Sequence, residues 1–503
     1  MLYDILLVFY LVGTIVGLWF VFKKAGIAPW KALVPVYNIV VWIRMCDKKW
    51  SWYIWFLVPA VNVFMFLLMV VETARVFRRY SFWEQLLSVI VPWVMLPLWG
   101  LMPGIEYHNP KTDPPKKVGE VRDWVDAVAF AIVAAVIIRG TFFELYKIPS
   151  SSMEKSLLVG DHLLVSKLAY GPKVEQNPLS IPLMHNSIPG TAIKSYLDWP
   201  HLPYHRYWGY SKVKRYDAVV FNFPAGDTIL TAYPTGKVTY YEKVQEYGRE
   251  AVLSGRVPML GEVAARPVGK RENYIKRCMG LPGETLQIID RIVYINGKPV
   301  ENPTEAQFTY DVWFKPFTSL QRALKPYGVS DDDIANAMHG APLPLTNKTY
   351  AKFEANSQDY DSAAPSLYGR MPLGTALYPN DIDRGWALDN YGPIHIPAKG
   401  ETVELTEENL AIYRRVITAY EGRSVEVRDG QVYIDGQATT TYTFRQDYYW
   451  MMGDNRHNSQ DCRFWGFVPE DHIVGKAKWI LFSFDKDSRK VRWERTLTNA
   501  NAH

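Results

Sequence analysis

The apolar residues of this chain are concentrated in its first 143 positions, where they form four long runs. The runs cover residues 2–22, 50–71, 83–102 and 127–143. Each of the first three approaches the roughly 20 residues that a helix needs to cross a bilayer. The fourth is interrupted by Arg139, whose long side chain can reach the lipid headgroups. This pattern predicts an N-terminal α-helical transmembrane region of about four spans.

Two of these runs leave alternatives open. The first run lacks the basic N-terminal region and the small-residue cleavage site of a signal peptide, so it favours a retained helix over a cleaved signal peptide. Cleavage is the alternative. The third contains Pro92 and Pro97, so it either spans the membrane or forms a re-entrant loop. The short apolar stretch 33–43 favours an interfacial position rather than a span.

Lysine and arginine residues between the runs predict the orientation. Six of them follow the first run and four precede the fourth, whereas three lie between the second and the third. Short cytoplasmic loops carry the excess of such residues. A four-span arrangement with the N-terminus outside therefore places ten positive charges inside and three outside. Everything after about Phe143 then lies outside the cytoplasm.

From Lys147 onward the pattern changes to short alternating runs separated by Gly, Pro, Asn and Asp, which predicts a mostly antiparallel β domain. The predicted strands cover 217–223, 286–295 and 479–484. The similar segments 290–297 and 429–436 end in Asn-Gly and Asp-Gly, which favour tight hairpin turns. They are either an internal repeat or two unrelated hairpins. Residues 174–210 and 226–271 are predicted as long surface loops.

Residues 301–440 are predicted as an inserted α/β domain with helical patches. The clearest patch is 406–420, where Thr406 is a suitable N-cap residue and Glu407 and Glu408 lie in the first turn.

Composition narrows the possible classes of function. The chain has 503 residues and a net charge of +5, which is too small for a dominant basic face that would bind nucleic acid. Its three cysteines cannot form a disulfide-dense scaffold. Neither an HExxH motif nor a Cys/His metal spacing is present, so we expect no metal and no cofactor.

Chemistry-bearing residues gather in four short blocks of the β-rich part. The first, 148–161, contains three consecutive serines, 150–152. The second, 216–224, is a strand ended by a proline. The third, 273–284, places Lys276 in an apolar, strand-like setting, where a lysine rarely lacks a purpose. The fourth, 451–469, is rich in polar residues, Gly and Trp, which is typical of a tightly bonded loop.

Together these blocks, in this order and directly after an apolar run, resemble bacterial signal peptidase I, the membrane-bound Ser/Lys endopeptidase of protein export. The resemblance covers roughly residues 124–300 and 441–484. The first three runs and the large insert lie outside it, although region 25–100 looks like an additional membrane module of some members. It implies a serine endopeptidase that removes signal peptides from exported preproteins.

On this reading the chain divides into seven segments. They are a multi-span membrane module (1–105), a basic cytoplasmic linker (106–123), a transmembrane anchor (124–143), a catalytic β domain in two parts (144–300 and 441–490), the insert (301–440) and a polar tail (491–503).

The resemblance implies that Ser152 is the nucleophile, that Lys276 is its general base and that the Ser150 hydroxyl donates to the oxyanion. A lysine can take the serine proton only when it is neutral. Its pKa must therefore fall by roughly 2–3 units from about 10.4, and burial beside apolar side chains lowers it in this way.

Supporting roles follow from the same resemblance. Ser459 is expected to orient the Lys276 amine, Asp461 to pair with Arg463, and Asp454 to pair with Arg277. The remaining candidates line shallow substrate pockets for small side chains: Ile148, Met153, Tyr274 and Ile275.

This chain departs from the family pattern at several positions. His457 stands where the family usually has Asp, and Cys462 where it usually has Ser. Residues 154–156 (Glu-Lys-Ser) replace an apolar residue, Pro and Thr. None of these positions belongs to the Ser/Lys pair, so activity is still expected. A disulfide between Cys278 and Cys462 is a hypothesis, and Cys46 is expected to be a free thiol.

The implied partners are the signal peptides of exported preproteins and membrane lipid, with the secretion translocon as a further candidate, and no nucleic acid. The implied location is the cytoplasmic membrane, multi-pass, with the catalytic domain on the outer side.

Two alternative functions stay open. One is a Ser/Lys peptidase with self-directed targets, as in related self-cleaving repressors, and the other is an inactive membrane scaffold that binds exported chains. A transporter would need facing polar groups within the spans, and these are few.

Overall fold

The computed structural model describes residues 2–58, 61–115, 119–188, 191, 193–230, 232, 240–254, 256–316, 318–355, 360–485 and 488–501. Lys116 and Lys117 of the predicted basic linker lie outside the described residues. The chain forms two compact units, Met1–Phe142 and Phe143–His503.

The first unit is helical. Its described α-helices are α1 (Leu2–Lys24), α2 (Tyr37–Met45), α3 (Ser51–Leu57), α4 (Val61–Val76), α5 (Phe82–Ile90), α6 (Pro92–Leu101) and α7 (Glu120–Ile137). A π-helical turn, Ile138–Phe142, follows α7.

The four predicted spans are not confirmed as four membrane-crossing helices. Within the described residues, α1 alone is long and apolar enough to cross a membrane, and α5 with α6 passes the same test only as a pair bent by 118°. The second apolar run is divided between α3 and α4, and α4 has 16 residues, too few for a bilayer core. The third run bends where α6 begins at Pro92, and this bend fits both a broken span and a re-entrant loop.

Three loops of the first unit meet at one end of its helices. Lys48 pairs with Glu72 at 2.5 Å, and Arg78 pairs with Asp113. The His108 N–H donates to the Val76 carbonyl at 2.9 Å. The loops before α3, after α4 and after α6 therefore lie side by side, which a strict alternation of spans across a membrane does not allow.

Helices α1 and α6 pack closely and run in the same direction. The Tyr10 hydroxyl donates to the carbonyl of Val89 just before α6, and the Lys24 amine donates to that of Met102 just after it, both at 2.8 Å. A Cβ at Gly13 would lie 2.5 Å from the Trp93 Cβ, so only glycine permits this approach. Helix α6 therefore ends at the Lys24 end of α1, and the end of α4 contacts the loop that follows α6.

The second unit is built mainly from β-strands. Its described strands are β1 (Phe143–Lys147), β2 (Asp161–Ser166), β3 (Ala218–Asn222), β4 (Thr228–Leu230), β5 (Val263–Ala265), β6 (Asn273–Gly280), β7 (Thr285–Ile289), β8 (Ile292–Ile295), β9 (Lys298–Val300), β10 (Gln307–Phe314), β11 (Leu343–Thr346), β12 (Tyr360–Pro365), β13 (Tyr391–His395), β14 (Thr402–Glu404), β15 (Val425–Arg428), β16 (Gln431–Ile434), β17 (Gln437–Ala438), β18 (Thr441–Thr443), β19 (Tyr448–Met452), β20 (Val468–Pro469), β21 (Ile473–Asp485), β22 (Lys490–Val491) and β23 (Thr498–Asn499). Its described α-helices are α8 (Tyr240–Tyr247), α9 (Arg249–Leu253), α10 (Leu320–Leu324), α11 (Asp331–Met338), α12 (Asn347–Glu354), α13 (Glu407–Arg415) and α14 (Cys462–Trp465).

The largest sheet confirms the predicted antiparallel β domain. Its strands follow the order β1-β2-β21-β3-β6-β19-β20, with β22 and β23 added to β21, and the described pairings within it are antiparallel. Strands β3 and β6 are central, and their apolar side chains separate two buried clusters, one on each face. This arrangement brings the second, third and fourth sequence blocks into one sheet, and the first block connects two of its strands, β1 and β2.

The insert combines helices with sheets, as predicted, but some of its strands pair with strands outside residues 301–440. Strand β10 pairs with β11 and β12 within the insert. In contrast, β13 pairs with β7, which precedes the insert, and β14 pairs with β18, which follows it. Helix α13 begins with the predicted cap, since the Thr406 side chain accepts from the Asn409 N–H and Asn409 reciprocates.

Two predictions of local structure need correction. The single strand predicted over 286–295 is the hairpin β7–β8, turned at Asp290 and Arg291, which both have positive φ. The stretch 226–271, predicted as a loop, contains α8, α9 and the β4–β5 pair. Strands β3 and β21 confirm the other two predicted strands, and both similar segments form hairpins.

Candidate active site

A serine and a lysine meet at the edge of the buried core of the second unit. The Nζ atom of Lys276 lies 2.5 Å from the Oγ atom of Ser152, although the two residues are 124 positions apart in the sequence. Ser152 belongs to a short 3-10 turn, Ser151–Met153, which follows β1. Lys276 lies on β6, opposite Val219 of β3.

Burial changes the protonation of the Lys276 amine. Lys276 is 3% exposed. Loss of hydration lowers its pKa to about 8, against the opposing effects of the Asp461 and Asp454 carboxylates. The Tyr274 ring, 5.7 Å from Nζ, covers one side of the amine. A neutral fraction of this amine is therefore available near physiological pH, next to a hydroxyl that can give up a proton.

The turn that carries Ser152 is held by the segment that we call the 453–459 loop, residues 453 to 459. The Asn455 N–H donates to the Ser152 carbonyl at 3.1 Å, and the Asn455 side-chain amide donates to the Ser151 carbonyl at 3.2 Å. The Asn458 amide donates to the Ser151 hydroxyl at 3.1 Å. Both asparagines were absent from the predicted site, and the only sequence signal for them was the polar density of the fourth block.

Ser150 lies beside the pair, as its predicted role requires. Its Oγ is 3.5 Å from the Ser152 Oγ, and its side chain is exposed. A hydroxyl in this position is free to turn toward a carbonyl that Ser152 attacks. Its action as an oxyanion donor stays a prediction.

Ser459 is close to the site, but its described hydrogen bond goes elsewhere. Its Oγ donates to the Gln460 carbonyl at 3.4 Å. A Cβ at Gly453 would lie 2.1 Å from this Oγ and 2.6 Å from the Ser152 carbonyl oxygen, so Ser459 and Ser152 approach each other across a bare glycine backbone. Gly453 is a third residue of the site that the sequence did not predict. The orienting role of Ser459 stays a prediction.

Two buried ion pairs support the site. Arg277 bonds Asp454 at 2.5–2.9 Å, and Arg463 bonds Asp461 at 2.8–2.9 Å. Burial opposes ionisation of Asp461, but the Arg463 charge and its hydrogen bonds outweigh burial and hold the pKa of this carboxyl below its usual range. Both predicted pairings are present in the structure.

The predicted pocket residues divide between two clusters. Ile148, Met153 and Ile275 pack together on one face of the sheet. Tyr274 belongs to the other face, where its ring stacks on Phe223 with centroids 4.5 Å apart. Ile148 and Met153 are buried, so they could contact a substrate only at the bottom of a pocket. Their contact with substrate stays a prediction.

The departures from the family pattern are also near the site. Cys278 and Cys462 are both buried and free, and the Cys462 sulfur accepts the Met451 N–H at 3.0 Å. Burial raises the pKa of Glu154 to about 7, beside Asp333 of the insert. Within the described residues, no group of three or more His, Cys, Asp or Glu is placed to hold a metal ion.

Comparison with known proteins gives matches over both units. The family described as signal peptidase, peptidase S26, matches residues 121–340 and 438–482, together more than half of the chain. A family of unknown function (DUF5684) matches residues 30–110, in the first unit.

Several relatives carry the name signal peptidase I. The protein of Haemophilus influenzae is 25% identical over 397 residues, which are 78% of this chain and 79% of the relative. That of Buchnera aphidicola from Acyrthosiphon pisum is 24% identical over 358 residues, 71% of this chain and 74% of the relative. The protein of Aquifex aeolicus reaches 63% identity over 38 residues, 8% of this chain and 15% of the relative. The chain therefore belongs to the signal peptidase family, peptidase S26, and is a serine endopeptidase.

Proposed function

We propose that the protein removes signal peptides from exported preproteins by a Ser/Lys mechanism, at the outer face of the cytoplasmic membrane. The observation that carries this proposal is the 2.5 Å approach of a buried amine, with its pKa lowered to about 8, to the Ser152 hydroxyl. The family and the relatives' shared name support the substrate class.

In the first half of the proposed reaction, the neutral Lys276 amine accepts the Ser152 proton while Oγ forms a bond to the scissile carbonyl carbon. The negative charge that develops on the carbonyl oxygen is stabilised by the Ser150 hydroxyl, and such a donor typically contributes about 3–4 kcal/mol. The Lys276 ammonium then gives its proton to the leaving nitrogen, the C–N bond breaks, and the mature protein leaves with a free amine. The signal peptide remains as an ester on Ser152.

In the second half, Lys276 takes a proton from a water molecule that attacks the ester carbonyl. The Ser152 oxygen leaves and recovers the proton from Lys276, and the signal peptide departs as a carboxylic acid that releases its proton to water. Apolar side chains around Ile148 and Ile275 suit pockets for small residues, so Ala-x-Ala-like ends are the proposed recognition signal.

The proposed membrane location has three sources of support. Helix α1 is apolar and long enough to span. The apolar residues 131–142 lead directly to β1, and Ser152 follows Ile138 by fourteen residues. The described basic residues of the first unit lie in its loops and in the end turns of its helices, which favours a cytoplasmic position for those loops. Lipid is thus a proposed partner, and so is the secretion translocon.

The decisive experiment compares purified full-length variants in detergent on a preprotein with an Ala-x-Ala site. Ser152→Ala and Lys276→Ala are expected to lose processing by at least about a thousandfold while they keep the wild-type circular dichroism spectrum. Lys298→Ala, which changes an exposed lysine on β9, is the matched control and should cleave normally. Cleavage by Ser152→Ala would contradict the proposal. Preprotein binding without cleavage by the wild type would favour the scaffold alternative.

A further inference from the structure

The 453–459 loop forms hydrogen bonds with two different segments of the chain. On one side Asn455 and Asn458 hold the turn that carries Ser152. On the other side the loop is bonded to β10, the first strand of the insert. The Gln307 N–H donates to the Asp454 carbonyl at 2.8 Å, and the Arg456 N–H donates to the Gln307 carbonyl at 2.9 Å. The insert is therefore attached directly to the backbone that positions the nucleophile.

His457 adds further contacts between this loop and the insert. His457 is the next residue of the loop, and its side chain is fully buried. Its Nδ1 accepts the Thr309 N–H at 3.1 Å and lies 2.6 Å from the Thr309 hydroxyl. Its Nε2 lies 2.7 Å from a carboxylate oxygen of Asp389, and the other oxygen of this carboxylate accepts from Arg291 at 3.0 Å.

These partners determine the protonation of the ring. A backbone N–H can only donate, so Nδ1 carries no proton, and Nε2 must therefore carry one and donate to Asp389. The imidazole is held as one neutral tautomer between two separate parts of the insert, β10 and the segment before β13. The rings of Phe308 and Tyr368 enclose it, with centroids 5.7 and 6.1 Å away.

We infer that His457 is a positioning residue, which clamps the 453–459 loop to the insert and thereby fixes Ser152 relative to Lys276. This inference rests on the proposed function, because it assumes that Ser152 is the nucleophile. His457 itself touches neither Ser152 nor Lys276 among the described contacts. It acts through Asn455 and Asn458, two and one residues away in the loop.

The physical reason is the precision that the reaction requires. A displacement of about 1 Å at a reacting group can cost roughly a hundredfold in rate. Without the imidazole, the loop keeps its backbone bonds to Gln307 but loses its anchors on Thr309 and Asp389. We therefore expect the 453–459 loop to stay folded but to vary more in position. The Ser152 hydroxyl would then spend less time within hydrogen-bond distance of the Lys276 amine.

The test uses full-length His457→Ala and His457→Asn, with His339→Ala as control, since His339 is an exposed histidine at the end of α11. Steady-state cleavage of a preprotein is measured well below the unfolding temperature of each variant. For His457→Ala we expect kcat to fall by about ten- to hundredfold with KM within about twofold of wild type. Asn can accept from the Thr309 N–H but cannot also reach Asp389, so His457→Asn should recover part of the loss.

Three outcomes would overturn the inference: an unchanged kcat in His457→Ala, a loss that appears in KM alone, or a loss that tracks the unfolded fraction and disappears at lower temperature. Ser152→Ala is assayed in parallel. If it still cleaves, the proposed function fails whatever the His457 variants do. If it is inactive while His457→Ala is fully active, the inference alone fails.

Discussion

The chemistry of the proposed site depends on the charge state of one side chain. An ammonium group loses most of its hydration when it is buried, so burial favours the neutral amine of Lys276. The Asp461 carboxylate opposes this effect, but Arg463 and the Gly453 N–H both bond to that carboxylate and reduce its pull on the amine. The result is a base with a pKa of about 8 rather than an ion pair.

The pH dependence of cleavage tests this assignment. Below about pH 8 the Lys276 amine holds a proton and cannot accept another, so kcat/KM should rise about tenfold per pH unit in the acidic range and level off above about pH 8. The measurement is kcat/KM for a peptide substrate from about pH 6 to about pH 10, with Lys298→Ala as a control that keeps the profile. A flat profile, or one that falls as pH rises through 8, would contradict a neutral lysine base.

The resemblance to the signal peptidase family located the Ser152/Lys276 pair and both buried ion pairs, because their residues lie in dense, recognisable blocks of sequence. It did not locate Asn455, Gly453 or the partners of His457. Their roles arise from contacts between segments far apart in the chain, such as Asn455 with Ser151 and His457 with Thr309. The sequence around a polar loop residue does not indicate which backbone group, far away in the chain, its side chain will bond.

At the level of elements, alternation of apolar and polar residues predicted β3 and β21 well. It merged β7 and β8 because their turn, Asp290–Arg291, contains neither Gly nor Pro. Hydropathy likewise found the apolar runs of the first unit but not their breaks. A run of twenty apolar residues has the same hydropathy whether it forms one straight helix or two bent ones, so hydropathy alone does not establish four spans.

The contacts at one end of the first unit predict that α3–α4 and α5–α6 are re-entrant hairpins, with α1 and the chain after Glu120 as the crossings. In this arrangement Ser81, at the start of α5, lies on the cytoplasmic side with Lys111. In the four-span arrangement Ser81 lies outside. Single Ser81→Cys and Lys111→Cys variants should react with an impermeant maleimide only after cells are permeabilised.

The background in this labelling experiment should be low, because all three native cysteines are buried. Lys298→Cys, on an exposed strand of the second unit, is the positive control and should react in intact cells. Reaction of Ser81→Cys in intact cells, alongside unreactive Lys111→Cys, would restore the four-span arrangement.

For the whole molecule, the structure predicts that the fold needs no covalent crosslink. Cys278 and Cys462 are both free, and burial raises the pKa of each thiol well above its ordinary value. A thiol reagent should therefore find no reactive cysteine in the native protein and three after denaturation without reductant. Only one thiol in the denatured protein would instead show that Cys278 and Cys462 pair, as the sequence left open.

The distances along the chain between the members of the site have a consequence for how this enzyme is made. Ser152 meets a base that comes 124 residues later, and the Ser151 carbonyl meets an asparagine 304 residues later. In the proposed orientation, the ribosome and the export machinery deliver the serine long before its partners. A half-delivered molecule thus carries only an inert hydroxyl. It cannot cut its own leading helix, or any neighbouring nascent chain, until its last strands have emerged and closed the sheet.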